Sequence, residues 1–239
     1  MIATLLMATT QAFSFDSKQF FSHDLWQGHK VAQLGGYWTQ QGGSQNINIE
    51  GLIGDRFTVT NPHSSNGLVG LGYYLDGQYY DSFKMAYGVN AFYLGPTRVK
   101  GQVIQEQLFT NLSYAYNVTH LPVFAAAKAT VDLHSPDHAL TIDAGIGPNF
   151  VKTGNFHENS LDGITLPDHP FSGHTTTTFA AMAGVGFKFN HVFAKAPLEC
   201  GYRFFYLGQG NFVKNTNQLL NTLNTGNNYG NAVLCSLTI

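Results

Sequence analysis

The sequence predicts an all-β chain: a transmembrane, antiparallel, up-and-down β-barrel of about ten strands, with eight as the alternative count. Three observations predict it. The first is composition: charged residues make up 11% of the 239 residues and aromatics 14%, with 26 glycines. Soluble domains carry about 25% charge. Mean hydropathy is −0.08, so the chain is poor in charge without being greasy. A wall that turns apolar residues to lipid and polar residues to an enclosed lumen averages to such a value. The second observation is period-2 alternation along most of the chain. The third is loop asymmetry, with long connections expected at one rim of a barrel and short turns at the other.

Strands are expected over 30–40, 46–60, 67–76, 81–94, 104–118, 122–133, 138–151, 175–190, 196–208 and 228–239. In 179–189 the odd positions are Phe179, Ala181, Ala183, Val185, Phe187 and Phe189, and the even ones include Gly184, Gly186 and Lys188. In 123–133 the odd set is Val123, Ala125, Ala127, Ala129, Val131 and Leu133, opposite Lys128, Thr130 and Asp132. One face is apolar and the other small or polar. A soluble sandwich would fill its polar face with Lys and Glu; Gly and Ala fit a narrow, crowded lumen. With the N-terminus placed in the periplasm, 61–66, 95–103, 134–137 and 191–195 read as short periplasmic turns. Segments 152–174 and 209–227 then read as the long outer loops. Residues 1–12 read as the tail of a secretory signal, with a small-residue cleavage site at Thr10-Gln11-Ala12; they lack a basic n-region, and an ordinary disordered N-terminus is the alternative. Residues 13–29 form a leader in which Trp26 would anchor at an interface, and 30–239 form the barrel. No run of 18 apolar residues exists, so no transmembrane helix is expected.

The net charge of −2 and the lack of a basic patch argue against nucleic acid as a partner. No cofactor is expected. Parity assigns Glu50, Arg56, Lys84, Lys128, Asp132, Asp143, Lys188, Glu199 and Arg203 to the lumen. They form either a gate or a salt-bridged plug. The interior of a small barrel is barely wider than its side chains, and an unpaired buried charge is very costly, so the plug is favoured. Ten histidines, five of them loosely grouped as His134, His138, His157, His169 and His174, show no metal-ligand spacing. If residue 196 faces 239, then Cys200 faces Cys235. Both have lipid-side parity, and either a cross-strand disulfide or two adjacent thiols fits.

Asn61-Pro62-His63-Ser64-Ser65-Asn66 reads as a turn. Its His63-x-Ser65-Asn66 spacing also resembles that of outer-membrane lipid A deacylases, in which a His base activates a Ser nucleophile. The resemblance would make His63 and Ser65 catalytic. Against it, the segment falls on the expected periplasmic side, and the motif stands early in the chain where the deacylases carry it late.

The runs Ile142-Asp-Ala-Gly-Ile-Gly147, Ala183-Gly-Val-Gly-Phe-Lys-Phe189 and Leu198-Glu-Cys-Gly-Tyr-Arg-Phe204, followed by a short alternating strand, resemble the OmpA/opacity-type small outer-membrane barrels. The resemblance covers 138–239 well and the first half loosely. It implies a bacterial outer-membrane location, contact with lipopolysaccharide and the barrel assembly machinery, and a structural, surface-antigen, adhesive or minor-pore role without catalysis. A host or surface ligand would be met by 152–174 and 209–227. The chain ends in Ile239 where the family's assembly signal ends in Phe, although the alternation Val233, Cys235, Leu237, Ile239 is kept. Two rival readings are a lipid A-modifying hydrolase and a soluble secreted barrel holding a small apolar ligand.

Overall fold

The computed structural model describes residues 28–80, 82–135, 137–193 and 196–239. The expected signal and leader, with Trp26, lie outside them apart from Gly28 and His29. Twelve strands follow: β1 Gly28–Gln40, β2 Gln45–Ile47, β3 Asp55–Asn61, β4 His63–Tyr80, β5 Phe83–Gln105, β6 Phe109–Ser135, β7 His138–Ser160, β8 Phe171–Ser172, β9 Thr175–Phe193, β10 Ala196–Gly208, β11 Val213–Lys214 and β12 Asn228–Thr238. Ten belong to one sheet. Eight of those close a ring in the order β1, β4, β5, β6, β7, β9, β10, β12, every pair antiparallel. The remaining two, β2 and β3, widen the wall along the outer half of β5. The ten expected strands and the alternative count of eight thus describe different things: the sheet and the closed ring.

Both ends of the ring, Gly28 and Thr238, share a rim with the last residues of β4, β6 and β9 and the first residues of β5, β7 and β10. This is the inner rim. The outer rim carries 41–54, 106–108, 161–170 and 209–227.

Four expected boundaries are corrected here. Segment 46–60 is a hairpin, not one strand, because Gly51 and Gly54 take positive φ in its turn. Segment 95–103 is strand, and Gly95-Pro96 is a bulge where the β5–β6 register shifts between Leu94 and Thr97. Segments 104–118 and 122–133 are parts of two strands, β5 ending at Gln105 and β6 running unbroken through Pro122. Pro122 lies where the ladder to β5 is interrupted, a place in a sheet where a residue without an N–H is tolerated. Segment 61–66 is no turn. Pro62 only separates β3 from β4, and His63–Asn66 pair with Gln40–Tyr37 at the outer rim, not the periplasmic one.

The outer wall exposes Leu34, Leu71, Val89, Ile146, Val185 and Val233. Aromatic groups bound this band at both levels. Trp38 meets Tyr202, Phe179 meets Tyr206, and Phe204 stacks on Tyr229 towards the outer rim. Tyr80 stacks on Phe83, and Phe187 meets Phe189 towards the inner rim. An apolar band between two aromatic girdles is the surface of a barrel solvated by lipid, and water would not tolerate a patch of that extent.

The interior holds two cores. The first fills the middle of the barrel with Tyr37, Leu68, Phe92, Leu94, Phe124, Phe205 and Leu207. The second lies beyond the outer girdle, around Phe57, Tyr114, Tyr116, Val151, Phe171 and Phe212. It forms because β5, β6 and β7 run on past the bulge. At ~3.3 Å per residue, the nine residues from Thr97 to Gln105 add about 30 Å of strand.

Candidate functional site: the lumen and the outer platform

Seven of the nine expected lumen charges, Lys84, Lys128, Asp132, Asp143, Lys188, Glu199 and Arg203, stand on inward-facing positions. They lie on the inner side of the Phe92–Phe124–Phe205 layer. Arg203 is 3% exposed and Asp143 5%. Their side chains form a buried ion pair. Arg203 also donates from its other terminal nitrogen to Gln33 Oε1 at 2.7 Å, and Gln33 Nε2 donates to Asn90 Oδ1 at 3.0 Å. One hydrogen-bonded chain therefore crosses the lumen from β7 to β10, β1 and β5. Lys128 Nζ donates to both oxygens of Glu199, at 3.1 and 2.8 Å. Nearer the inner rim, Lys84 pairs with Asp76 at 2.6 Å. A polar vestibule of about 380 Å³ opens there, lined among others by His29, Asp76, Lys84, Lys128, Lys188 and Glu199. Asp132 stands exposed at its mouth.

Glycines make this packing fit. A Cβ on Gly184 would stand 2.2 Å from Asp143 Oδ1, one on Gly72 2.1 Å from Asn90 Oδ1, and one on Gly70 2.6 Å from the Phe92 ring. The Gly-rich face of the alternation is space reserved for charged and aromatic side chains from neighbouring strands.

Glu50 and Arg56 are corrections. Glu50 lies in the exposed turn between β2 and β3, and Arg56 points outward because Phe57 takes the inward position. The expected unbroken strand 46–60 carried the wrong parity across the turn. The aromatic layer within the lumen was not expected. Phe92 and Phe205 meet edge to face at 5.4 Å, Phe124 stacks on Phe205 at 6.0 Å, and Arg203 lies over Phe92 at 5.4 Å. The signal was present, since Phe92, Phe124 and Phe205 share the parity of neighbouring polar residues. Also unexpected is fully buried His120, whose Nδ1 faces Asn149 Nδ2 at 3.0 Å.

Loop 209–227 folds back over the outer mouth. β11 pairs with β8, Leu220 N donates to Asn48 O at 2.8 Å, and Glu50 N donates to Gln218 O at 2.8 Å. Phe212 from this loop packs edge to face on Tyr116 at 5.0 Å. The two expected outer loops thus meet each other and the β2–β3 turn, although 152–160 is strand rather than loop. Buried within this region, Glu158 accepts from Asp168 N at 3.1 Å, and burial pushes its carboxyl up to about 7. Burial also pushes the Asp55 carboxyl up. Asp162 is held low by donors from Thr165, Ile164 and Ser160 that close a tight turn.

Cys200 and Cys235 are direct cross-strand partners joined by a disulfide on the lipid-facing side. Among the described residues, no group of three or more His, Cys, Asp or Glu is placed to hold a metal. The grouped histidines diverge: His138 packs on Phe189, and His157 Nε2 lies 2.9 Å from Arg98. His63 and Ser65 share the outward face of β4. Ser65 pairs with Trp38 of the outer girdle, and His63 Nδ1 lies 3.4 Å from Thr39 O.

The closed ring, the lipid-facing band and the two girdles define the class: an integral β-barrel of the outer-membrane type, placed in the bacterial outer membrane. No family model and no curated protein matches the chain. Solved structures resemble it in fold. The outer membrane protein OprG from Pseudomonas aeruginosa is 13% identical with a TM-score of 0.49, over 90% of this chain and 97% of that one. Neisserial surface protein A is 11% identical with a TM-score of 0.40, over 88% and 96%. The outer membrane protein AlkL, solved in lipid bilayers, is 12% identical with a TM-score of 0.42, over 100% and 97%.

Proposed function

We propose that this barrel is a sealed membrane anchor for a rigid outer platform, and that its role is surface interaction rather than solute passage. The observation that carries this reading is the second core. Six aromatic rings beyond the lipid-facing band, Phe57, Tyr114, Tyr116, Phe156, Phe171 and Phe212, lock the outer loops into one body. A pore would need neither that core nor the Phe92 layer. Contact with lipopolysaccharide falls to the outer half of the apolar band, and insertion by the barrel assembly machinery to the alternating final strand.

Cells carrying the wild type are compared with cells whose 161–170 and 212–222 are replaced by short Gly-Ser turns. The expected result is loss of adherence to coated surfaces while heat-modifiable gel migration persists. Unchanged adherence would contradict the reading.

A lipid A hydrolase is a second reading, favoured by one observation. His63 and Ser65 lie at the outer girdle, on the lipid face, so the expectation of a periplasmic position no longer counts against it. Replacing His63 by Ala and finding the acylation of lipid A unchanged would remove it.

A further inference from the structure

The part of the molecule farthest from the membrane exposes a second group of apolar side chains, apart from the lipid-facing band. Three segments make it: the β2–β3 turn, the β5–β6 turn and the start of the β7–β9 connection. Leu52, Ile53, Leu108, Phe109, Ile164 and Leu166 are all exposed there, Ile164 by 85% and Leu166 by 87%. Isolated exposed apolar residues are ordinary, but a cluster on one surface marks an interaction site. The bilayer that holds the barrel does not reach this tip.

These residues are held in place. Ile53 N donates to Glu106 Oε2 at 3.0 Å, and Glu106 N donates to Asp55 Oδ1 at 3.1 Å, which ties the first turn to the second. Leu161 N donates to Asn111 O at 2.8 Å, and Asn111 Nδ2 donates to Thr165 Oγ1 at 3.0 Å, which ties the second to the third. In the β5–β6 turn, Glu106 and Gln107 both take positive φ, 50° and 57°, without being glycine. Such backbone persists where surrounding contacts over-determine it. A surface presented this rigidly has little ordering entropy left to lose on binding.

The charge is one-sided. Segments 48–55, 105–111 and 160–168 carry Glu50, Asp55, Glu106, Asp162 and Asp168, with no Lys or Arg among them. The nearest cation in sequence, Arg56, points outward on the wall of β3. A second copy of this tip would bring carboxylates against carboxylates, and an anionic lipid surface would be repelled in the same way. A partner that offers an apolar face flanked by cations is matched on both counts.

We infer that this tip is a docking surface for a cationic, amphipathic polypeptide segment, whose apolar face covers Leu52, Phe109, Ile164 and Leu166 while its Lys or Arg side chains meet Asp55, Glu106 and Asp162. The inference deepens the surface-interaction reading and rests on it. It names the partner's chemistry.

The test uses the full barrel in nanodiscs of zwitterionic lipid, with empty discs as the reference. Three synthetic amphipathic helices share one leucine face and differ on the polar face, which is Lys, Gln or Glu. The expected order of affinity for the barrel over empty discs is Lys, then Gln, then Glu, with at least tenfold between the first and last. Raising salt from 50 to 500 mM weakens the Lys peptide several-fold. The double variant Ile164→Ser, Leu166→Ser loses tenfold or more, and since both side chains are solvent-exposed, its heat-modifiable migration stays wild-type. Equal binding of the three peptides, or no effect of the double variant, overturns the inference. So does self-association of the discs or equal attachment to zwitterionic vesicles. If adherence of cells still depends on the outer loops while the peptides show no charge preference, the partner's chemistry is wrong and the surface-interaction reading stands.

Discussion

Arg203 and Asp143 illustrate how much single residues decide inside this barrel. Both are buried, so removing one leaves an uncompensated charge, which costs roughly 3–5 kcal/mol. Arg203→Met is expected to lower the free energy of unfolding by that amount, read by urea unfolding in lipid vesicles. Gly184→Ala is expected to destabilise through the same pair, because its Cβ would stand 2.2 Å from Asp143 Oδ1. Wild-type stability of either variant would show that the pair is not buried as described. Glu158 makes a prediction about pH. Its carboxyl is pushed from 4.5 up to about 7 by burial. The folded state therefore holds its proton more tightly than the unfolded chain. Stability of the outer platform is greatest below pH ~4.5, falls between there and pH ~7, and levels off above. The difference is on the order of 3 kcal/mol. Glu158→Gln is expected to flatten that slope, measured by hydrogen exchange of 153–172 from pH 4 to 9. At this scale the sequence was legible wherever parity held: seven of the nine charges were on strands that parity follows without a break. Glu50 and Arg56 were not, because parity cannot be carried across a turn that goes unseen.

Among the elements, the long strands and the breaks between β6 and β7 and between β9 and β10 were visible, and the irregularities inside the other segments were not. Gly95-Pro96 has the composition of a turn, yet the chain uses it as a bulge. Pro122 reads as a breaker, yet it occupies a gap in the ladder and β6 passes through. Local residue types report that the backbone is irregular; only the neighbouring strand decides whether an irregularity becomes a turn or a bulge. The same holds for 46–60, where Gly51 and Gly54 were hidden in an alternating stretch. The β10–β12 pair carries the next prediction. Its disulfide spans a sequence separation of 35 residues across loop 209–227. Constraining the unfolded chain to that extent is worth about 2–4 kcal/mol. Cys200→Ser with Cys235→Ser is expected to lower stability by up to that amount while the barrel still closes, because ten backbone pairs join these strands. Loss of heat-modifiable migration would show that the disulfide, not the ladder, holds the pair together.

For the whole molecule, composition and alternation gave the membrane barrel, but not what fills it. A charged lumen, with a salt-bridged plug favoured over a gate, was the expectation. The aromatic layer was not legible, because it needs side chains from β5, β6 and β10 to meet at one level, and no single strand shows that. The outer core was equally hidden, since it joins residues as far apart as Phe57 and Phe212. The proposed function requires a barrel closed to solutes. Planar-bilayer recording of the purified, detergent-extracted protein tests it most directly. Wild-type protein is expected to insert without conductance steps, and the variant with Phe92, Phe124 and Phe205 all replaced by Ala is expected to conduct. Discrete, reproducible steps from folded wild-type protein would contradict the account.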